Sequence, residues 1–427
     1  MTTPRTGPTP PSRPGADPPA PAPADFLAAV VKSRLLTRQR LDAAVAGLPF
    51  AGGRSARAVA DHLVAAGELT GYQAEKLLAG RWQGLVVGPY RVLAPLGRGG
   101  MAAVYLARRE GAAGEQAVAL KVLPPQRAKE ERALARFRRE MDLGRDLVHP
   151  HVARTLDAGE ADGVHYIVME YVPGRTLKQV VTEAGPLPVP AAARVFADAA
   201  AGLSHLHARG LIHRDLKPSN LMVRPDGRAM LLDLGLALRV DEDLPDDPAV
   251  VGGRGYILGT MDYIAPEQAV DATDVGPRAD LYALGCSLYF ALTGLPPFPG
   301  GDSKQKLRWH RTEDPPPVDH LNPAVPGAFA RLVDRLMAKR PADRPNSAGV
   351  VRELLLPWAA EPEPEPVPAP AAEPLSLDDA DPAAEVADPD GPPVVLPLGP
   401  VGAAAAGLLA VLVAFLFGVL VGLLGRL

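Results

Sequence analysis

Asp215, Lys217 and Asn220 place a carboxylate, an ammonium and a carboxamide within six residues of one another. Pro218 and Ser219 between them disfavour a continuous helix, so the three groups belong to a loop that can aim them at a common point. Such a loop can direct Asp215 at a hydroxyl proton, Lys217 at a phosphate and Asn220 at a metal ion. An ordinary polar turn would look the same over eight residues, so the reading depends on partners elsewhere. Three follow the right order along the chain: Lys121 ending the alternating run Ala117-Val118-Ala119-Leu120, Glu140 on a helical stretch, and Asp233-Leu234-Gly235 eighteen residues after Asp215. Taken singly, Lys121 reads equally as a solvated surface charge and Glu140 as one of several exposed helix acids.

The elements that must position these groups are legible around them. Strand signals begin at Tyr90-Arg91-Val92-Leu93 and lead into Leu96-Gly97-Arg98-Gly99-Gly100-Met101-Ala102-Ala103-Val104. Glycines there let a hairpin turn lie close over a triphosphate, with backbone N–H groups facing its oxygens. A dinucleotide-binding turn is excluded, because a second strand-like run, Val104-Tyr105-Leu106-Ala107, follows in place of a helix. Arg136 to Leu147 reads as a helix carrying Glu140, and Tyr166 to Val172 as a buried strand. Gly202 to Arg209 continues a helix that delivers the chain into the 213–220 loop. Asp280 opens an apolar helix, Leu281 to Leu292, which holds the single cysteine, Cys286, as a buried and inert thiol.

Together these stretches resemble the bacterial, Hanks-type (eukaryotic-like) serine/threonine protein kinases over residues 88–357. His213-Arg214-Asp215 with Asn220 matches their H-R-D-x-x-x-x-N loop, and Lys217 the serine/threonine-specific form of it. The resemblance implies an α+β, bilobal protein-kinase fold with a small β-rich N-lobe and a larger helical C-lobe. It implies ATP as the phosphate donor with Mg²⁺, or Mn²⁺, as the metal. Residues Leu96, Gly97, Arg98, Gly99, Gly100, Met101, Ala102, Ala103 and Val104 would cover the nucleotide. Met169 would be the gatekeeper, and the backbones of Glu170 and Val172 would receive adenine. Lys121, paired with Glu140, would hold the α- and β-phosphates, Asn220 and Asp233 the metal, and Asp215 and Lys217 would act on the transferring group. Gly259 to Glu267 resembles the end of a kinase activation segment, with Arg344 as the partner of Glu267.

The sequence departs from the family pattern at Ala102 for a glycine, Leu234 for a phenylalanine and Gly144 for an apolar residue, the last a smaller side chain expected to make its helix easier to displace. From Leu234 to Gly259 there is no serine or threonine, and an acidic run, Asp241-Glu242-Asp243 with Asp246-Asp247, occupies part of that loop. Thr260, the first hydroxyl, corresponds to a structural partner of Asp215. The alternative to an active kinase is a pseudokinase acting as a membrane-tethered scaffold, but its usual marks, loss of the catalytic Asp, the strand Lys or the metal Asp, are not found.

Length and composition frame the rest. A chain of 427 residues exceeds one typical domain. Its net charge of −4 gives no reason to expect nucleic-acid binding, and one cysteine excludes an intramolecular disulfide. Residues 1–23, rich in Pro, Ala and Thr, are expected to be disordered. Residues 24–85 read as a helical N-terminal module of two similar halves offset by 33, with Leu36-Thr37 matching Leu69-Thr70 and Ala46-Gly47 matching Ala79-Gly80. Thr70 with Gln73 reads as a capping box. The module fits a folded spacer and an interaction domain equally well. Residues 358–400 form a Pro-rich acidic linker. Residues 401–424 carry no charge, and 24 residues at 1.5 Å rise span about 36 Å, enough for a hydrocarbon core of roughly 30 Å. The expectation is a single-pass transmembrane helix in the cell membrane with the kinase domain in the cytoplasm, acting on protein serine and threonine hydroxyls. Gly418 and Gly422 form a small G-x-x-x-G face that could support a homodimer.

Overall fold

The computed structural model describes residues 21–46, 55–98, 102–110, 116–234, 237–239, 261–271 and 275–359. All of these fall in one folded unit, Met1–Pro368. Four short helices come first: α1 (Pro23–Lys32), α2 (Arg38–Val45), α3 (Ala56–Ala65) and α4 (Gly71–Leu78). The second pair repeats the first at an offset of 33 residues, limit for limit. Thr37, Ser55 and Thr70 cap α2, α3 and α4 by accepting from the backbone N–H three residues on. Helices of eight to ten residues do not persist alone, and burial of Phe26, Val30, Leu41, Val59, Leu63 and Leu77 in a common core supplies what they lack. Leu85 belongs to the same core and carries it to the start of the sheet that follows.

That sheet is antiparallel. Its strands are β1 (Val86–Val87), β2 (Tyr90–Arg98), β3 (Ala103–Arg109), β4 (Ala117–Val122), β5 (Thr155–Ala161) and β6 (Val164–Glu170), in the order β1-β2-β3-β4-β6-β5. Lys121 lies on a central strand, opposite Val104 on one side and Ile167 on the other. The β2–β3 pairing slips twice, between Val92 and Ala94 and between Pro95 and Gly97. Such bulges bend a strand and re-aim its end, here just before the glycine turn. Gly99, Gly100 and Met101 lie outside the described residues.

After α5 (Pro125–Ala128), α6 (Glu131–Gly144) turns Ala133, Phe137, Glu140 and Gly144 to its buried face at three- and four-residue steps. It begins five residues before the Arg136 expected from the sequence, because Glu131 and Arg132 belong to its exposed face and leave no apolar signal. Gly144 reads in the sequence as a source of looseness, and the packing shows the reverse. A Cβ at 144 would overlap Thr155 Oγ1 on β5, so glycine is what lets this end of α6 lie close to the sheet. A Gly144→Val change is therefore expected to destabilise the fold by about 1–3 kcal/mol through overpacking. Thermal melting checks it, and a Thr155→Ala second change should recover part of the loss.

The larger half is helical. It contains β7 (Arg175–Thr176), α7 (Leu177–Ala184), α8 (Val189–His207), β8 (Leu211–Ile212), β9 (Leu221–Val223), β10 (Ala229–Leu231) and β11 (Leu238–Arg239). Then follow α9 (Arg278–Thr293), α10 (Ser303–Thr312), α11 (Val318–Leu321), α12 (Gly327–Leu336) and α13 (Ala348–Leu355). Every residue of α9 from Ala279 to Leu292 is buried, so α9 is the axis of this half rather than a surface helix. Cys286 lies within it, and burial pushes its thiol up to about 12. The architecture is bilobal, a β-rich half and a helical half. Among the described residues no helix is long and apolar enough to cross a membrane. The runs 401–424 and 360–400, and most of 1–23, lie outside the described residues.

Candidate active site

Two groups of polar side chains form the site. In the first, Lys121 Nζ donates to both oxygens of Glu140, at 2.6 and 2.7 Å, and to Asp233 Oδ1 at 2.9 Å. The sheet supplies Lys121 and the buried face of α6 supplies Glu140, so neither is the solvated charge that each resembles in isolation. Burial alone would pull the Lys121 ammonium down, but Asp233 and Glu140 outweigh it and hold it above its ordinary value. Burial pushes Glu140 up, to about 7, against the pull of Lys121, with Asp233 adding to the rise. The two rise for different reasons: the paired carboxylates hold the Lys121 proton on, whereas burial, with Asp233 adding its charge, raises Glu140.

In the second group, Asp215 Oδ2 accepts from Lys217 Nζ at 2.7 Å. Asn220 Nδ2 donates to the Asp215 carbonyl at 2.8 Å and to its Oδ2 at 3.2 Å. With Nδ2 turned to Asp215, Oδ1 is the Asn220 atom suited to a cation. Residues 218–220 form a single 3₁₀ turn, the break that Pro218 and Ser219 lead one to expect. The two groups are tied through the backbone, since Leu232 N donates to the Asn220 carbonyl at 2.8 Å and Asp233 is the next residue. Asn220 and Asp233 thus offer oxygens on adjoining segments. That donor set fits Mg²⁺, which keeps its waters and binds through one or two protein oxygens plus substrate phosphates.

The loop is held from below by a residue whose role the sequence does not announce. Asp280, fully buried near the start of α9, accepts from His213 N at 2.9 Å and from Arg214 N at 2.8 Å, and its Oδ2 lies 2.8 Å from His207 Nε2. Burial pushes its carboxyl up, but His207, His213 and the Arg214 amide outweigh burial and keep it below the usual range. Arg214 takes a left-handed backbone, φ 65°, and so does Asp233, φ 61°, conformations that are uncommon for non-glycine residues. His213 completes the frame. Its Nδ1 accepts from Asp215 N at 3.3 Å, so Nε2 carries the proton and donates to the Leu232 carbonyl at 3.2 Å.

Arg214 is also buried, with its carbonyl accepting from Gln268 Nε2 at 2.9 Å. Burial first, and then the neighbouring Arg139 charge, lower its guanidinium to about 10, with Asp280 opposing. Gln268 follows Glu267, which meets Arg344 as the family resemblance implies, at 2.6 and 2.8 Å in a two-pronged pair. One segment therefore anchors the catalytic loop to the base of the helical half. Thr260 and Gly235, with the acidic run 241–247, lie outside the described residues.

On the nucleotide side, Leu96 is exposed and Gly97 has open space around its α-carbon. Ala102, standing where the family pattern has glycine, is buried in one cluster with Leu123, Phe137 and Ile167, so its methyl is a packing group. Ala103 is buried and Val104 half-buried, facing Gly97 across the hairpin. Met169 packs partly against the Ala102 cluster, and Val172 is buried just beyond Glu170, which closes β6. Arg98 continues β2 to its end.

Comparison with known proteins gives a consistent picture. The protein kinase domain family matches residues 90–356. Serine/threonine-protein kinase pkn3 of Myxococcus xanthus is 40% identical over 266 residues, 61% of this chain and 48% of that protein. Serine/threonine-protein kinase PknB of Mycobacterium leprae is 37% identical over 265 residues, 61% of this chain and 41% of that protein. The crystal structure of the Mycobacterium tuberculosis PknI kinase domain is 30% identical and covers 65% of this chain and 98% of its own, with a TM-score of 0.48. The match thus spans less than half the length of either curated relative.

Proposed function

The chain belongs to the protein kinase family, among the bacterial Hanks-type serine/threonine kinases, and from that premise we propose that it transfers the γ-phosphoryl group of ATP to serine and threonine hydroxyls of proteins. The observation that carries the reading is Lys121 bonded at once to Glu140 and Asp233, at 2.6 to 2.9 Å. An intact lysine–glutamate pair beside the metal carboxylate is what phosphoryl transfer on this scaffold requires.

The proposed roles extend that reading. Lys121, kept charged and oriented by Glu140, aligns the α- and β-phosphates. The hairpin from Leu96 to Val104 covers the phosphates with backbone N–H groups, and the segment Glu170 to Val172 meets adenine. Asn220 Oδ1 and Asp233 would hold Mg²⁺, which would supply charge neutralisation on the phosphates. Asp215 orients the acceptor hydroxyl and takes its proton as the new P–O bond forms and the bond to the ADP oxygen breaks. Lys217, 2.7 Å from Asp215, balances charge on the transferring group. The wild-type chain is expected to phosphorylate a generic basic protein in the presence of ATP and Mg²⁺, and Asp215→Ala to lose nearly all of that activity. Phosphorylation by neither would remove the proposal.

The same reading divides the chain into an N-terminal helical module at 24–85, a kinase domain at 88–357 and a linker to a membrane anchor at 401–424. The support for the anchor is an uncharged run long enough to span a bilayer. The kinase domain then lies in the cytoplasm, where ATP is. Ending the chain at Pro400 should move it from the membrane pellet to the soluble fraction. Retention in the pellet after alkaline washing would count against an anchor there.

A further inference from the structure

The two halves of the N-terminal repeat differ at one telling position. Arg40, third residue of α2, is exposed and pairs with Glu68 at 2.7 Å. Its counterpart 33 residues on is Gln73, third residue of α4, and Gln73 is completely buried. Its Oε1 accepts from Thr70 N at 2.9 Å, closing the capping box, while its Nε2 donates to the Val92 carbonyl at 2.6 Å. Thr70 does the same one residue on, its hydroxyl accepting from Gln73 N and donating to the Leu93 carbonyl at 2.7 Å. A capping box needs only the bonds within the helix. The two bonds leaving it go to β2.

Where they land matters. The outer side of β2 pairs with β1 only at Tyr90 and Arg91. Leu93 is the residue skipped in the β2–β3 register, since Val92 faces Ala107 and Ala94 faces Leu106. Thr70 and Gln73 therefore bind the carbonyls at the bulge itself, three and four residues before Leu96. α4 also touches the other strand of the hairpin, with the Tyr72 and Tyr105 rings 6.5 Å apart, and Tyr105 faces Pro95 at the second bulge. Arg91 adds a bond to the Glu68 carbonyl and another to Gln73 Oε1 at 3.3 Å. The helix grips both strands of the hairpin that covers the nucleotide.

We propose that Thr70 and Gln73 are positioning residues for nucleotide binding: by fixing the β2 bulge they set the angle at which Leu96 and Gly97 enter the glycine turn. This rests on the kinase reading for the identity of the nucleotide, and its test is separate from phosphoryl transfer. The probe is a fluorescent N-methylanthraniloyl ATP with Mg²⁺, titrated into the full chain in detergent. Thr70→Val and Gln73→Glu each remove the donor to β2 and should raise Kd by about fivefold. Thr70→Ser keeps the hydroxyl and should restore the wild-type value. Arg57→Ala breaks an exposed ion pair with Glu75 inside the module and should leave Kd unchanged. Coupling is reciprocal, so the nucleotide should also slow amide hydrogen exchange in residues 70–78 of the wild type, a readout independent of any variant's folding. Kd values within twofold of wild type for both β2-directed variants, an equal weakening by Arg57→Ala, or unaltered exchange in 70–78 would each overturn the inference. A wild type that binds the probe but phosphorylates nothing sinks only the kinase assignment, and one that does not bind it sinks both.

Discussion

Replacing Asp215 with alanine is expected to lower kcat for phosphorylation of a protein hydroxyl by about a thousandfold, the middle of the range for removing a positioned general base. Nucleotide affinity should barely move, because Lys121, proposed to meet the phosphates, is held by Glu140 and Asp233 rather than by Asp215. Asp215→Asn makes the test sharper. It keeps the shape of the side chain and an oxygen for Asn220 and Lys217, yet cannot accept a proton. A variant that retained more than about a tenth of wild-type kcat would show that Asp215 acts by geometry alone. Nucleotide Kd measured beside kcat separates loss of chemistry from loss of the fold.

Arg344→Ala should produce the largest loss of stability, about 3 kcal/mol, at the lower end of what breaking a buried ion pair costs. The lower end applies because the Glu267 side chain is 20% exposed while that of Arg344 is not exposed at all. Besides Glu267, the guanidinium donates to the carbonyls of Ala338 and Arg278, each at 2.8 Å, and Lys339 at 3.1 Å, and lies 4.9 Å from the centroid of the Tyr282 ring. Alanine would leave a half-buried carboxylate and three carbonyls without this donor. Arg344→Lys keeps the charge but not the fork, so it should recover only part of the loss. Chemical denaturation reads the difference directly, and a cost below about 1 kcal/mol for Arg344→Ala would mean that water replaces the guanidinium.

The candidate site residues were legible because phosphoryl chemistry restricts their types: two lysines, three acids and an amide cannot be exchanged freely, and their order survives as a pattern. Glu140 is an example, ambiguous by itself and singled out by the family resemblance of the helix that carries it. Asp280 was not legible as a catalytic-loop anchor. It acts on the backbone N–H groups of His213 and Arg214, 67 and 66 residues away, and a backbone donor leaves no trace in the sequence. The one available signal was an acid within an otherwise apolar helix, which burial would penalise unless it were paired. Gln268 is hidden for the same reason, since it binds a carbonyl. Gly144 shows the opposite failure: a small residue reads as slack when only its own helix is considered, and as close fit once Thr155 is known. In the N-terminal repeat the pattern gave the helices and the capping box, but not the second use of Thr70 and Gln73, because a local motif already accounted for both.

The cover that α4 gives β2 has a consequence for the isolated kinase domain. β1 is only two residues long, so among the described residues that side of the sheet has no neighbouring strand beyond Arg91. A fragment cut at residue 88 would lose Thr70 and Gln73 and bare the carbonyls of Val92 and Leu93. Unpaired strand edges are templates on which a second chain can add a strand. The expected result is that a domain trimmed to the family boundary self-associates at concentrations where the chain with its four helices does not, which light scattering reads.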